Sequence, residues 1–501
     1  MNLVVTWMVQ LVMVPLLLHH LGTPSYGLFA TLTSIAGYFG LLTFGSTLTV
    51  PRYVAEHAAR GDREALGEFV STYMAAHWVV AVLGLAAAFG LAPLLAHLLD
   101  LPPAMRPLIA PAFRLVAAGW ALGLAGGLLQ SLLTGLGQVG LANLASSART
   151  LLNLVAVAIA IAMDGDLLTV LVALMSASVA GSVMLAILVK RRHPDIPLGP
   201  SRARLRALRS TGVSAGYYFL MQVAALVVMG TDNIVIGIFA GVALVAAYAV
   251  VAQLWATLIA MLWSGVDALM PFFTRWQVQG DRAKLHASYL GASKMAFAGS
   301  AIAAVIMVVW GTTLIGWWVG PSLEVDRRVV WTFAAMLLTA SPIHTAALLL
   351  SALGKHRAPA LGGAAEAALN LTLSLILIHP LGVWGVALGT LISGLMTNAW
   401  IAPRAACREL GMSVGSWAKA ALLPALIPAG AAAALALVLR STLPANVPMT
   451  LIALAAVGIV FAVLFWSLGL TDTERWSLRT LAGAKIVSPT APPQPPRGGM
   501  Q

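Results

Sequence analysis

The chain has 501 residues, of which 60% are hydrophobic and 9% are charged, and its formal net charge is +12 at pH 7. An ordinary soluble domain carries about a quarter charged residues. This composition, with a mean hydropathy of +0.91, therefore excludes a soluble globule and predicts an all-α polytopic membrane protein. The basic residues lie in short connectors between apolar segments, where they indicate membrane topology and contacts with anionic lipids; no nucleic-acid partner is predicted.

Apolar segments of roughly 18 to 28 residues recur along the chain, and each is long enough to cross a bilayer as a tilted helix. We predict fourteen transmembrane helices, which lie near 3–21, 28–50, 72–98, 109–135, 145–163, 167–190, 213–238, 243–270, 292–318, 327–353, 360–379, 381–402, 418–439 and 448–470. The first helix has no basic region before it and no small-residue cleavage site after it. No cleaved signal peptide is therefore predicted.

Lys and Arg are distributed unevenly between the two sets of connectors. The connectors after even-numbered helices, together with the C-terminal tail, hold 24 of the 29 basic residues, whereas the opposite connectors hold four. Arg114 lies inside a predicted helix. Because positively charged loops stay in the cytoplasm, both termini are predicted to be cytoplasmic.

Matches at a nearly constant spacing indicate that the chain contains two related halves. The connector Gly61-Asp62-Arg63 recurs 219 positions later as Gly280-Asp281-Arg282, and Phe29 falls on Tyr248 at the same offset. Matches at an offset of 217 are Gly137 with Gly354, Arg149 with Glu366, and Asn153 with Asn370. This offset maps helix 1 onto helix 7, six crossings later. Because six is an even number, both halves have the same orientation, and they are predicted to be parallel six-helix repeats around a central cavity.

The repeat and the hydropathy together predict five regions. They are an N-terminal lobe (1–192), a basic cytoplasmic linker (193–212), a C-terminal lobe (213–405), two appended helices (406–470) and a cytoplasmic tail (471–501). The tail ends in a Pro- and Gly-rich stretch with too little apolar content to form a core, and it is predicted to be disordered. In the repeat alignment, the start of helix 7 at residue 213 maps to position −6. Helix 1 therefore lacks the lead-in of its counterpart, which leaves open a start codon upstream.

Several short motifs follow one another in a characteristic order. They are Leu21-Gly22, Tyr26-Gly27-Leu28-Phe29, a proline break at Pro51, Gly61-Asp62, and Thr231-Asp232-Asn233-Ile234-Val235-Ile236-Gly237. In this order, with fourteen helices in two halves, the chain resembles the polysaccharide-transporter branch, the Wzx-type oligosaccharide flippases. That branch belongs to the multidrug/oligosaccharidyl-lipid/polysaccharide (MOP) exporter superfamily. Ala246 stands where the family usually has a second turn glycine.

The resemblance implies a function in envelope biosynthesis. It implies alternating access around the central cavity and translocation of undecaprenyl-pyrophosphate-linked oligosaccharides across a bacterial inner membrane, for O-antigen, capsule or exopolysaccharide. The expected partners are this lipid-linked substrate, membrane lipids, a polysaccharide polymerase and glycosyltransferases. A multidrug antiporter of the same superfamily remains the alternative.

The chain carries no pattern typical of catalysis. It has no G-x-x-x-x-G-K-[ST] phosphate loop, no paired carboxylates in its loops, and no Cys/His cluster with the spacing of a metal site. The single cysteine, Cys407, forbids an intrachain disulfide. We therefore predict a transporter rather than an enzyme, with no cofactor, driven by a proton or sodium gradient.

Asp232 is the main candidate for such coupling. It lies about 12 Å from the outer end of helix 7, where an ionisable group costs roughly 2.5 to 3.5 kcal/mol and needs an explanation. One interpretation is a cavity-facing carboxylate, with Asn233 beside it, that couples transport to the ion gradient. The alternative is a structural group that pairs with Thr231, Asn233 or Arg114.

Four other charged residues within predicted helices are candidate site residues. Arg114 could attract the pyrophosphate, since a guanidinium matches phosphate geometry, or could reach the outer surface. Asp267 could face the cavity, or could be hydrated at the interface or paired with Arg275. Arg149 and Glu366 open their predicted helices from the cytoplasmic side, and could form an inner gate or face lipid headgroups.

Polar and aromatic side chains complete the candidate set. Residues that could contact sugars, or could simply mark the membrane interface, are Tyr38, Gln130, Tyr217, Tyr218, Gln222 and Trp263. Asn153 and Asn370 are predicted to make hydrogen bonds between helices, and His77 to be a buried histidine rather than a proton relay.

Overall fold

The computed structural model describes residues 2–43, 46–204 and 212–483, and the regular structure of these residues is entirely helical. The α-helices are α1 (Asn2–Gly37), α2 (Ser46–Ala59), α3 (Arg63–Leu98), α4 (Arg106–Gly135), α5 (Val139–Ala162), α6 (Leu167–Arg192), α7 (Gly212–Phe239), α8 (Val242–Asp267), α9 (Met270–Gln279), α10 (Arg282–Val319), α11 (Arg327–Ala352), α12 (Arg357–Met396), α13 (Asn398–Leu410), α14 (Val414–Ala421), α15 (Leu423–Thr442), α16 (Val447–Leu464) and α17 (Asp472–Gly483). The predicted all-α class is confirmed. Residues 205–211 of the predicted linker, which include Arg206 and Arg209, lie outside the described residues.

Two helices contain glycine breaks that account for the predicted number of crossings. In the described residues, 12 helical stretches are long and apolar enough to cross a membrane. Two of them are unusually long, Val4–Thr43 with 40 residues and Arg357–Leu410 with 54. They are interrupted at Gly22 (φ 75°, ψ 164°) and Gly382 (φ 60°, ψ −143°), conformations that glycine adopts without a Cβ penalty. Dividing both stretches there accounts for the difference between twelve stretches and the fourteen predicted helices.

The break at Gly382 folds α12 back on itself as a helical hairpin. Asn370 Nδ2 on the first arm donates to Thr390 Oγ1 on the second arm across 2.7 Å, which confirms the interhelical hydrogen bond predicted for Asn370. The arms pack closely, because a Cβ added at Gly389 would lie 3.0 Å from the backbone nitrogen of Ser374.

Repeat-related positions have the same local geometry in the two halves. Gly61 and Gly280 both adopt left-handed conformations, with φ of 69° and 70°. Asp62 then caps α3 by accepting from the backbone N–H of Ala65 (2.9 Å), and Asp281 caps α10 in the same way from Lys284 (3.1 Å). A duplicated connector explains this correspondence. The division into lobes 1–192 and 213–405 stays a prediction that this similarity supports.

Several helices begin earlier than predicted. Helix α5 begins at Val139 rather than near 145, and α3 and α10 begin at Arg63 and Arg282 rather than near 72 and 292. The polar turns at these starts lowered the hydropathy below that of a crossing segment, although each continues the helix without a break.

Cys407, on α13, is 1% exposed and packs in a cluster with Phe273.

The beginning of the predicted disordered tail is ordered. Residues 472–483 form α17, which is fixed by an ion pair to α10: Lys294 Nζ, on a residue that is 5% exposed, donates to both carboxylate oxygens of Glu474 at 2.8 Å. The stretch was predicted to be disordered because it is too polar to form a core. It is held instead by this ionic contact and by Arg475, whose Nε donates to the Trp466 carbonyl across 2.8 Å. Residues 484–501 lie outside the described chain.

Removing Glu474 is expected to destabilise the protein. The variant Glu474→Ala leaves the Lys294 ammonium buried without its counter-charge, and we expect the free energy of unfolding to fall by about 3 kcal/mol. Burial alone would raise the pKa of Glu474, but the hydrogen bonds from Lys294 and Thr471 hold that pKa below its ordinary value. The stabilisation should therefore be complete above the ordinary pKa and be lost as the pH falls through the lowered value.

Thermal unfolding of the protein in lipid nanodiscs measures this effect. Glu64→Ala, at the exposed start of α3, is the control and should change stability little. The double variant Lys294→Met, Glu474→Ala should regain most of the loss, because no buried charge remains. A double variant as unstable as Glu474→Ala would contradict the assignment.

Candidate functional site

Asp232 lies at a junction of three helices. It is on α7 and is 3% exposed. The Tyr248 hydroxyl on α8 donates a short hydrogen bond to Asp232 Oδ2, and Thr390 Oγ1 on the second arm of α12 donates to the same oxygen across 2.9 Å. The other carboxylate oxygen, Oδ1, accepts no hydrogen bond from the described residues. The carboxylate therefore keeps a free acceptor in a buried position.

More oxygen atoms lie around this carboxylate. Ser374, on the first arm of α12, lies beside it, and Asn370 is joined to it through Thr390. Asn370 and Ser374 are fully buried, and Asn370 Oδ1 and Ser374 Oγ have no hydrogen-bond partner among the described residues. Unpaired buried polar atoms are rare, and carboxylate, amide and hydroxyl oxygens are the ligands that hard cations prefer. The residues therefore suit a proton or a cation such as Na⁺.

A cavity of about 320 Å³ opens beside Asp232, between α1 and the C-terminal half. We call it the Asp232 cavity, and the residues that line it include Tyr26, Phe29, Thr33, Ser34, Asp232, Asn233, Tyr248, Gln253, Trp255 and Thr390. Asn233 Nδ2 donates to Ser34 Oγ across 3.0 Å and so joins the two halves at its edge. The cavity thus combines a buried carboxylate, several hydroxyl and amide groups, and aromatic rings.

The pairings that were predicted for a structural Asp232 are wrong. Thr231 shares a short hydrogen bond with Tyr38, and Asn233 bonds to Ser34. Arg114 packs over the ring of Phe89 at 4.7 Å, and that ring is 54% exposed on the outer surface of α3. Arg114 therefore lies away from the Asp232 cavity.

Asp267 is also paired differently from the prediction. It is the last residue of α8 and accepts from His344 Nε2 across 2.7 Å, rather than pairing with Arg275. The His344 ring stacks on Trp263 with a centroid distance of 4.0 Å and an interplanar angle of 7°. Trp263, His344 and Glu366 line a second, mainly apolar cavity of about 280 Å³, which we call the C-terminal cavity.

Arg149 and Glu366 are separated. Arg149 lines a third cavity, of about 360 Å³, which we call the N-terminal cavity, and Glu366 lines the C-terminal cavity. The described residues show no ion pair between them. Because α5 begins at Val139, Arg149 lies about 15 Å inside its helix, near the middle of its 24 residues rather than at the cytoplasmic end. An inner gate formed by these two residues stays a prediction without a direct contact.

The remaining polar candidates do not converge on one cavity. Tyr217 is exposed, Gln222 Nε2 donates to the Gly40 carbonyl across 3.1 Å, and the side chain of Tyr218 lies outside the described residues. His77 and Asn153 line the N-terminal cavity. As predicted, His77 is buried, and its ring bonds to the Tyr73 carbonyl at 2.7 Å.

Tyr248, Thr390 and Ser374 were missed by the sequence analysis. One signal for Tyr248 was present: its repeat partner is Phe29, so the C-terminal half carries an additional hydroxyl at this position, 16 residues after Asp232. No comparable signal marks Thr390, which is 158 residues from Asp232 along the chain.

The fold, with its many membrane-crossing helices and internal cavities, defines a polytopic membrane protein. The family model described as "Polysaccharide biosynthesis protein" matches residues 2–277, more than half of the chain, and the protein belongs to this family. It is 22% identical over 409 residues to the uncharacterized membrane protein EpsK of Bacillus subtilis (strain 168), a match that covers 80% of each chain.

Solved structures show the same fold. The lipid II flippase MurJ, in an inward closed conformation, is similar with a TM-score of 0.73 and 13% identity, over 92% of this chain and 96% of MurJ. An inward-facing multidrug resistance MATE family transporter of the MOP superfamily gives a TM-score of 0.62 and 15% identity, over 82% of this chain and 99% of the transporter. The predicted MOP-superfamily fold is confirmed.

Proposed function

We propose that this transporter moves an undecaprenyl-pyrophosphate-linked oligosaccharide across the bacterial inner membrane for surface polysaccharide synthesis. A pyrophosphate with several sugars cannot cross hydrocarbon unaided, because desolvating unpaired charge and polar groups is too costly. The observation that carries the proposal is the Asp232 cavity, a polar space between the two halves of a protein whose family serves polysaccharide biosynthesis. The headgroup passes between the halves while the prenyl chain stays in lipid.

The Asp232 site supplies the coupling in this proposal. A proton or Na⁺ at Asp232 Oδ1 neutralises the carboxylate and engages the free oxygens of Asn370 and Ser374. Its binding draws α7 and the two arms of α12 together, with α8 attached through Tyr248. Ion binding thereby favours one arrangement of the C-terminal half relative to α1, as alternating access requires.

The orientation and the partners are part of the same proposal. The excess of Lys and Arg in one set of connectors supports cytoplasmic termini. Glycosyltransferases would supply the lipid-linked substrate on that side, and a polymerase would use it on the other. The chain's own role needs no covalent chemistry.

Deletion of the gene tests the proposal directly. Undecaprenyl-linked sugar intermediates should accumulate on the cytoplasmic face of the deletion strain while surface polysaccharide disappears. Extraction of the lipid-linked pool with mass spectrometry identifies the trapped glycan. An unchanged lipid-linked pool and unchanged surface glycan would contradict the flippase function.

Cation-coupled export of drugs is the second candidate function. The observation in its favour is that Asp232 shares its cavity with the aromatic rings of Tyr26, Phe29 and Trp255, a surface suited to cationic aromatic molecules. In that case the deletion strain would become sensitive to such compounds while its surface glycan stayed normal.

A further inference from the structure

The N-terminal cavity contains a cation without a counter-charge. Its lining residues include His77, Ser131, Arg149, Asn153 and Ser178, and none of the residues that line it is acidic. Arg149 makes no hydrogen bond and no ion pair with any residue that the structure describes. A guanidinium near the middle of a crossing is costly unless it has a partner. This favours a ligand that brings negative charge into the cavity.

The surrounding groups are arranged for a polar ligand. Asn153 follows Arg149 by one helical turn and lines the same cavity, and Ser178 faces them from α6. Gly181, also on α6, provides the space for the arginine, because a Cβ there would lie 2.7 Å from Arg149 Cγ. The Arg149 side chain is thus held within the cavity by the packing of α5 against α6.

One part of the α4 wall is open. Gly119, Gly123 and Gly127 lie one turn apart on α4 and line the cavity. A Cβ added at Gly119 or Gly123 would contact α6, at 3.5 Å from Met175 Cα and 3.1 Å from Ser178 Oγ, whereas a Cβ added at Gly127 would meet no atom within 4 Å. A ligand in the cavity can therefore approach the α4 backbone at Gly127. The cavity volume of about 360 Å³ exceeds what a few water molecules need.

The repeat-related cavity has the opposite character. Glu366 occupies the position that corresponds to Arg149, and the C-terminal cavity around it is mainly apolar. An anion is therefore attracted to the N-terminal half and not to its counterpart.

We propose that the N-terminal cavity binds a phosphate or pyrophosphate ester, with Arg149 as the residue that binds its oxygens and with Asn153 and Ser178 as further hydrogen-bond donors. A guanidinium forms paired hydrogen bonds with phosphate oxygens. The site presupposes the proposed function, because the pyrophosphate ester is that of the translocated lipid. Arg149 thus takes the phosphate-binding role that the sequence analysis considered for Arg114.

Binding of undecaprenyl pyrophosphate to the purified full-length protein tests the site. Native mass spectrometry should give an affinity at least about tenfold lower for Arg149→Ala than for the wild type, as expected for loss of a charge-assisted contact. Arg149→Lys should retain part of the affinity, and Asn153→Ala should cause a smaller loss. Arg114→Ala is the matched control, because it removes an arginine from the same half outside the cavity, and it should bind normally.

The remaining comparisons separate the possible sources of the phosphate. Undecaprenol, which lacks phosphate, should bind the wild type and Arg149→Ala equally. A loss in Arg149→Ala that is as large for phosphatidylglycerol would assign the cavity to a membrane phospholipid and overturn its assignment to the cargo. Unchanged affinity for undecaprenyl pyrophosphate in both Arg149→Ala and Asn153→Ala would overturn the site while leaving the flippase function in place. If the wild type does not bind undecaprenyl pyrophosphate at all, the proposed function itself fails.

Discussion

Asp232→Asn is expected to leave the protein folded in the membrane but to lower gradient-driven transport by about one to two orders of magnitude, the range that a coupling free energy of 1–3 kcal/mol gives. The amide has nearly the shape of the carboxylate and can still accept from Tyr248 and Thr390. It cannot take up a proton or balance the charge of a cation. Transport in proteoliposomes, measured with an imposed proton or sodium gradient, detects the loss and identifies the coupling ion.

A second carboxylate provides the control for this experiment. Asp281→Asn changes the cap of α10, where asparagine is an equally good capping residue, and it should transport normally. Thr390→Val should weaken coupling without removing the charge, because it deletes one hydrogen bond to Asp232 and the acceptor for Asn370. Wild-type transport in Asp232→Asn under both gradients would rule out the coupling role.

Gly27→Ala is expected to destabilise the contact between the halves by about 3 kcal/mol or more, at or above the upper end of the usual cost of overpacking. A Cβ at Gly27 would lie 1.8 Å from the Val242 carbonyl oxygen and 2.8 Å from its carbonyl carbon. These are backbone atoms at the start of α8, so no side-chain rotation relieves the overlap. Helix α1 would have to move away from α8, which should enlarge the Asp232 cavity and lower the unfolding temperature.

The control for Gly27→Ala is the same substitution at an open position. Gly90 lies on α3, and a Cβ added there meets no atom within 4 Å. Gly90→Ala should therefore keep or slightly raise the unfolding temperature in nanodiscs, because alanine favours a helix over glycine by up to about 1 kcal/mol. Equal stability of the two variants would mean that α1 and α8 are not held at this close distance.

The membrane-spanning architecture could be predicted from the sequence because each crossing is a continuous apolar segment, which local hydropathy identifies. The Leu21-Gly22 motif falls between the first two predicted helices, and the structure adds why glycine stands there, with φ of 75°. The early start of α5 was not predictable in the same way, because its first turns mix small and polar residues. That shift of a few residues places Arg149 near the middle of α5 instead of at its cytoplasmic end.

The candidate site was only partly predictable. Asp232 could be identified because a carboxylate at bilayer depth is conspicuous in any sequence. Its partners depend on how the hairpin of α12 packs against α7, and no local pattern encodes that contact. Arg114 illustrates the same limit. The sequence leaves open whether its side chain faces the cavity or the outer surface, and the contact with the exposed ring of Phe89 favours the outer surface.

The burial of Cys407 makes the protein suited to chemical labelling. Its only thiol is enclosed between packed helices, so a water-soluble maleimide should leave the unmodified chain almost unlabelled. A cysteine introduced at Thr33 would then report solvent access to the Asp232 cavity, and one introduced at Ser131 would report access to the N-terminal cavity, with little background labelling. Impermeant reagents applied from either side of the membrane could follow opening and closing in intact cells.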